Sequence, residues 1–170
     1  MARAIFLAEI LSRKLNIVLK NAQINKSQKS PKYSQEHYER DAIWAISSIY
    51  GIELLPDNCA ECRIRLLDIF KKHYQAYFKN INQSVIDTAQ FLFAKNIVGG
   101  NALDLKDLAG EPIVFSEFKF ISTVMVKRRD YIYENLVEKT DNQISHQQGF
   151  IAKPIKDYPQ THFLKLAEQD

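Results

Sequence analysis

The sequence predicts an α+β fold in which helix predominates: four N-terminal helices, then an antiparallel β-hairpin and a C-terminal helix. Apolar residues recur at helical spacing through the first hundred positions, whereas after Gly99-Gly100 they gather into two β-favouring runs around a Gly-Pro turn. Five Gly and five Pro in 170 residues are too few for a sandwich built on tight turns. Apolar residues at 46% and charged residues at 25% describe a folded chain, not a disordered one. The length suits a single domain over 1–170, with a helical part at about 1–98, a hairpin-containing part at about 99–139 and an irregular tail at 140–170.

The first helix is expected from about Ala4 to Lys20, and its apolar residues fall on more than one side. Asn25–Ser34 is polar, basic and broken by Pro31, and reads as a surface loop. Ser34 is the expected N-cap of a second helix, with Glu36 in its first turn, Tyr38, Ala42, Ile43 and Ile46 inward, and Gly51 at its end. Pro56-Asp57-Asn58 opens a third helix in which Asn58 and Glu61 have capping-box spacing. A fourth begins near Ser84 and stops at Gly99-Gly100. Ala102–Leu108 and Ile113–Val126 then read as the two strands of the hairpin, and Lys127–Lys139 as the last helix.

No apolar run reaches the ~18 residues that span a bilayer, so no membrane partner is expected. Ala4–Leu11 is interrupted by Glu9 and followed by Arg13 and Lys14, unlike a secretory signal. Two cysteines give no disulfide framework, which points to a reducing, cytoplasmic setting. Residues 1–35 carry seven Lys/Arg against the single Glu9, a basic arm that reads first as a solubilising end and second as a phosphate contact.

The expected hairpin concentrates the groups that carry chemistry. Side chains two apart in a strand share a face, so Glu117 and Lys119 point one way, while Phe118 and Phe120 point the other and bury it. The first strand brings Asp104 or Asp107 beside Glu117. Two carboxylates suit Mg²⁺, which prefers oxygen ligands and lowers the pKa of a bound water. Lys119 would orient that water and offset negative charge.

Asp104, twelve intervening residues with a turn, and Glu117-Phe118-Lys119 in an apolar strand resemble the PD-(D/E)XK nuclease superfamily, which includes many type II restriction endonucleases. The resemblance covers roughly 99–139. It implies metal-dependent hydrolysis of DNA phosphodiesters, with Asp104 and Glu117 as Mg²⁺ ligands, Asp107 as the alternative first ligand, and Lys119 assisting the nucleophilic water. Leu103 stands where a proline would precede the first Asp.

A rival expectation is a non-catalytic helical interaction or assembly subunit, self-associating or docking a protein partner through its hairpin, because a lone hairpin needs covering. Cys59-Ala60-Glu61-Cys62 opens a helix where the dipole would depress a thiol pKa, but no second ligand pair suits zinc, and we read both cysteines as core. Glu36-His37-Tyr38-Glu39-Arg40-Asp41 reads as a solvated helix face.

Overall fold

The computed structural model describes residues 2–22, 32–141 and 152–169 and mixes helix with strand, helix predominating. Four helices form the larger part: α1 (Ala2–Asn21), α2 (Lys32–Ser47), α3 (Pro56–Tyr77) and α4 (Gln83–Asn96). Most of the expected loop at Asn25–Ser34 lies outside the described residues, and α2 already includes Lys32. Leu11 and Leu15 of α1, Tyr38, Ile43 and Ile46 of α2, Leu66, Phe70 and Tyr74 of α3, and Leu92 and Phe93 of α4 share one buried core. Their removal from water is the main term holding the helices together.

The helix starts follow local chemistry. Pro56 occupies the first turn of α3, where a missing N–H costs nothing, so the helix begins before Asn58 and the expected capping box does not form. Asn82 caps α4: its side chain accepts from the Ser84 N–H at 3.1 Å. Among the described residues no helix is long and apolar enough to cross a membrane.

The strands depart from the sequence expectation. Helix α4 ends at Asn96, and Ile97–Asn101 is a strand, β2, instead of the end of a helix. It pairs parallel with β1 (Gly51–Glu53), matching Gly51 to Ile97, so α3 and α4 together form the crossover. It also pairs antiparallel with β3 (Lys106–Asp107). Gly99-Gly100 therefore serves close approach and not helix termination. A Cβ on Gly100 would stand 2.6 Å from the Lys106 carbonyl oxygen and 2.9 Å from Ile113 Cδ1.

The main hairpin is β4 (Val114–Phe120) with β5 (Met125–Ile132), not Ala102–Leu108 with Ile113–Val126. The expected helix at Lys127–Lys139 shrinks to α5 (Glu134–Asp141), because its first half is β5. The far edge of β5 is covered by β6 (Lys156–Asp157) and β7 (Thr161–His162), after which a 3-10 helix (Phe163–Glu168) buries Phe163 and Leu166. Of the tail expected to be irregular, residues 142–151 lie outside the described residues and 152–169 complete the sheet and the core.

Replacing Gly100 by Ala is expected to cost about 1–3 kcal/mol in chemical denaturation, because backbone must shift. Leu103→Ser, at a side chain 94% exposed, should change stability by under ~0.5 kcal/mol.

Candidate functional site

Asp104 lies in the turn between β2 and β3, ahead of Leu105, whose φ is +60°. Its carboxylate accepts from Asn101 Nδ2 and from the Lys106 N–H, each at 3.1 Å. Asp107 Oδ1 accepts from the Ala109 and Glu111 N–H groups, both at 2.9 Å. Both aspartates thus close turns with their own backbone, a role that Asp fills well. The Ile113 N–H donates to the Leu105 carbonyl, which seats the Asp104 turn at the start of β4. Glu117 is four residues, about 13 Å, further along that strand.

Glu117 and Lys119 do share an exposed face, as alternation requires, and Phe118 and Val126 are buried on the other. Register sets Glu117 opposite Arg129 and Lys119 opposite Lys127. Glu117 accepts from the Tyr131 hydroxyl at 3.3 Å, and Asp157 binds Lys127 at 3.0 Å. The structure thus brings Glu117 and Lys119 together with cations and leaves Asp104 and Asp107 on their turns. Among the described residues no three His, Cys, Asp or Glu side chains converge to hold a metal ion.

The inner face of the hairpin holds what the sequence concealed. Arg128 and Asp130 point inward from β5, both buried, with Nε to Oδ1 and Nη2 to Oδ2 each 2.9 Å. This is the paired fork geometry that suits guanidinium and carboxylate. Ser116 Oγ donates to Asp130 at 2.6 Å and the Tyr158 hydroxyl donates to it at 3.0 Å. The guanidinium lies 4.1 Å from the Tyr158 ring centroid and 5.4 Å from that of Phe91. Burial alone would push the Asp130 carboxyl up; hydrogen bonds from Arg128, Ser116 and Tyr158, with the Arg128 charge, outweigh it and hold the group below its ordinary range. Lys127-Arg128-Arg129-Asp130 is charged at every position, so the alternation in and out of this strand left no signal in the sequence.

A second buried polar group sits among the helices, within the six-residue stretch that reads as a solvated face. Glu39 is buried and accepts from the Tyr74 hydroxyl and from Gln35 Nε2. Burial pushes the Tyr74 hydroxyl well above its ordinary range, and the bond to Glu39 adds to this, so the group remains a donor. The Tyr38 hydroxyl, raised first by burial, meets His73 Nδ1 at 2.9 Å. These bonds tie α2 to α3. Cys59 and Cys62 are buried free thiols, both pushed up by burial, which agrees with a core role.

Large apolar side chains stand exposed at several places, among them Leu54, Leu55, Ile64, Leu103 and Leu108, and also on α1 and α2. Trp44 is 61% exposed, Ile17 57% and Phe6 66%. Ile17 and Trp44 line a groove between the two helices of about 430 Å³, floored by Val18 and Ala45. Its rim carries Lys14, which donates to Ser48 Oγ at 2.8 Å, and Asp41, which pairs with Arg40 at 2.7 Å. Large exposed apolar groups around a concavity are the mark of a binding surface.

Asp130→Ala should lose about 3–5 kcal/mol, because Arg128 is left buried without its carboxylate. A depressed folded-state pKa stabilises above the unfolded value of ~3.9 and stops doing so as pH falls through the folded one. The stability gap between wild type and Asp130→Asn, followed by urea titration, is therefore widest above pH ~4 and closes on further acidification.

No family model matches this chain, and no curated protein or solved structure matches it either.

Proposed function

We propose that this chain is a non-catalytic interaction subunit that binds another polypeptide through the exposed face of α1 and α2. The observation that carries this reading is the groove bordered by Ile17 and Trp44, with Phe6 standing out from the same helix. The hairpin, expected from the sequence to dock a partner, spends its apolar face on the chain's own core: Phe118 meets Phe91 at 6.1 Å and Phe120 meets Phe163 at 6.5 Å. The binding surface therefore moves to the helices. The free thiols of Cys59 and Cys62 support a reducing compartment such as the cytoplasm.

A second reading, Mg²⁺-dependent cleavage of DNA, is favoured by one feature: Glu117 and Lys119 keep to a single exposed face beside Lys127 and Arg129. A further carboxylate would have to join them, because Asp104 and Asp107 close their own turns.

A photo-crosslinking residue placed at Trp44 is expected to give one discrete adduct, identified by mass spectrometry, and the same residue at Leu103 none. Equal or absent adducts at both positions would overturn the interaction reading. Plasmid DNA incubated with Mg²⁺ is expected to stay intact. Cleavage that disappears in both Glu117→Ala and Lys119→Ala would replace the first reading by the second.

A further inference from the structure

Strand β1 is three residues long, and alternation puts Gly51 and Glu53 on one face and Ile52 on the other. The Gly51 face looks onto α1 and β2: a Cβ there would stand 2.9 Å from Leu7 Cδ1 and 3.4 Å from Ile97 Cδ1. Gly51 and Glu53 border a hollow of about 250 Å³ on this side of the molecule. The buried Ile97 and Cys62 line its floor, and the exposed Phe6 and Tyr50 its rim. Its volume exceeds the ~150 Å³ of a cavity that accepts benzene.

The polar group of this hollow is Glu53, half-buried at the end of β1. Among the described residues no hydrogen bond or ion pair reaches its carboxylate. The Cys62 thiol is pushed up by burial first, then by Cys59 and by the Glu53 charge, so the floor stays neutral. A carboxylate partly withdrawn from water and left without a cation is unfavourable, and an incoming cation relieves that cost. Two aromatic rings stand beside it. Tyr50 is held in place by its hydroxyl, which donates to the Ser116 carbonyl at 3.1 Å, and by edge-on contact with Phe115 at 5.3 Å. Aromatic faces beside a carboxylate attract an ammonium group from two directions.

We propose that this hollow binds a small organic ammonium ion. Its apolar body rests against Leu7, Ile97 and Cys62, and its charged head lies among Glu53, Phe6 and Tyr50. The site is separate from the α1–α2 groove and does not depend on the interaction reading.

The test is titration of the full ¹⁵N-labelled chain with three probes that share one body: 2-phenylethylammonium, 2-phenylethanol and 3-phenylpropionate. The ammonium probe should shift the amides of Gly51, Glu53 and Cys62, with a dissociation constant on the order of 0.05 to 5 mM. The alcohol should bind several-fold more weakly and the carboxylate at least about tenfold more weakly. Glu53→Gln should weaken the ammonium probe about tenfold, and Phe6→Ala about threefold, with amide spectra otherwise like wild type. Raising NaCl from ~0.05 to ~0.5 M should weaken wild-type binding and leave Glu53→Gln almost unchanged. No shift at these amides up to ~20 mM probe would overturn the proposal. So would 3-phenylpropionate binding as tightly as the ammonium probe, Glu53→Gln binding it as tightly as wild type, or shifts centred on Trp44. The same cation could also arrive on a lysine of another polypeptide. Tighter binding of N-acetyl-lysine amide than of 2-phenylethylammonium would overturn the small-molecule assignment in favour of that source.

Discussion

The sheet is organised around one buried ion pair. Arg128 and Asp130 are two residues apart on β5, inside the hairpin and away from water, and each needs the other there. Desolvating two charges is costly, and the attraction between them offsets it only when every remaining polar atom is also satisfied. Ser116 from β4 and Tyr158 from the C-terminal segment satisfy Asp130, while aromatic rings flank the guanidinium. The pair thereby fixes three separate pieces of chain relative to one another. A one-residue slip of β4 against β5 would turn Arg128 and Asp130 to opposite faces from Ser116, so the pair also pins the register.

From that centre, polar ties run outward to the helices. The Ser116 N–H donates to Asn96 Oδ1 at 3.1 Å, and the Tyr50 hydroxyl donates to the Ser116 carbonyl at 3.1 Å. Asn96 in turn donates to the Ser47 carbonyl. The end of α4, the end of α2 and the edge of β4 therefore meet through buried hydrogen bonds, which are costly to leave unmade. This accounts for the end of α4 at Asn96: the asparagine is used by the sheet, and Ile97 and Val98, both β-branched, continue as a strand. The C-terminal segment is held in the same way, the Tyr158 N–H donating to the Arg128 carbonyl and Thr88 Oγ1 to the Phe163 carbonyl.

This arrangement also decides what the surface can offer. The hairpin's apolar side is consumed by α4 and the 3-10 helix, and its other side sets Glu117 opposite Arg129 and Lys119 opposite Lys127, with Phe115 buried at one end. The helices α1 and α2 bury one side against α3 and α4 and leave Phe6, Ile17 and Trp44 in water. Exposing side chains of that size is unfavourable for an isolated molecule. The interaction proposed above would use this face.

The sequence by itself determined the four helices, the inward face of the second at Tyr38, Ile43 and Ile46, the predominance of helix over strand, and the opposed faces of Glu117–Lys119 and Phe118–Phe120. These are local properties: a period of 3.6 or 2 among neighbours reports which side of an element meets the core. The tertiary structure alone decided that Lys127–Ile132 is a strand, that Asp104 and Asp107 stay on their turns apart from Glu117, that Glu39 is buried, and that the C-terminal segment completes the core. The physical reason is common to all four. A charge reads from sequence as a solvated position, and whether it is instead buried depends on partners such as Ser116, Tyr74 and Tyr158, which lie too far along the chain for any local pattern to reveal.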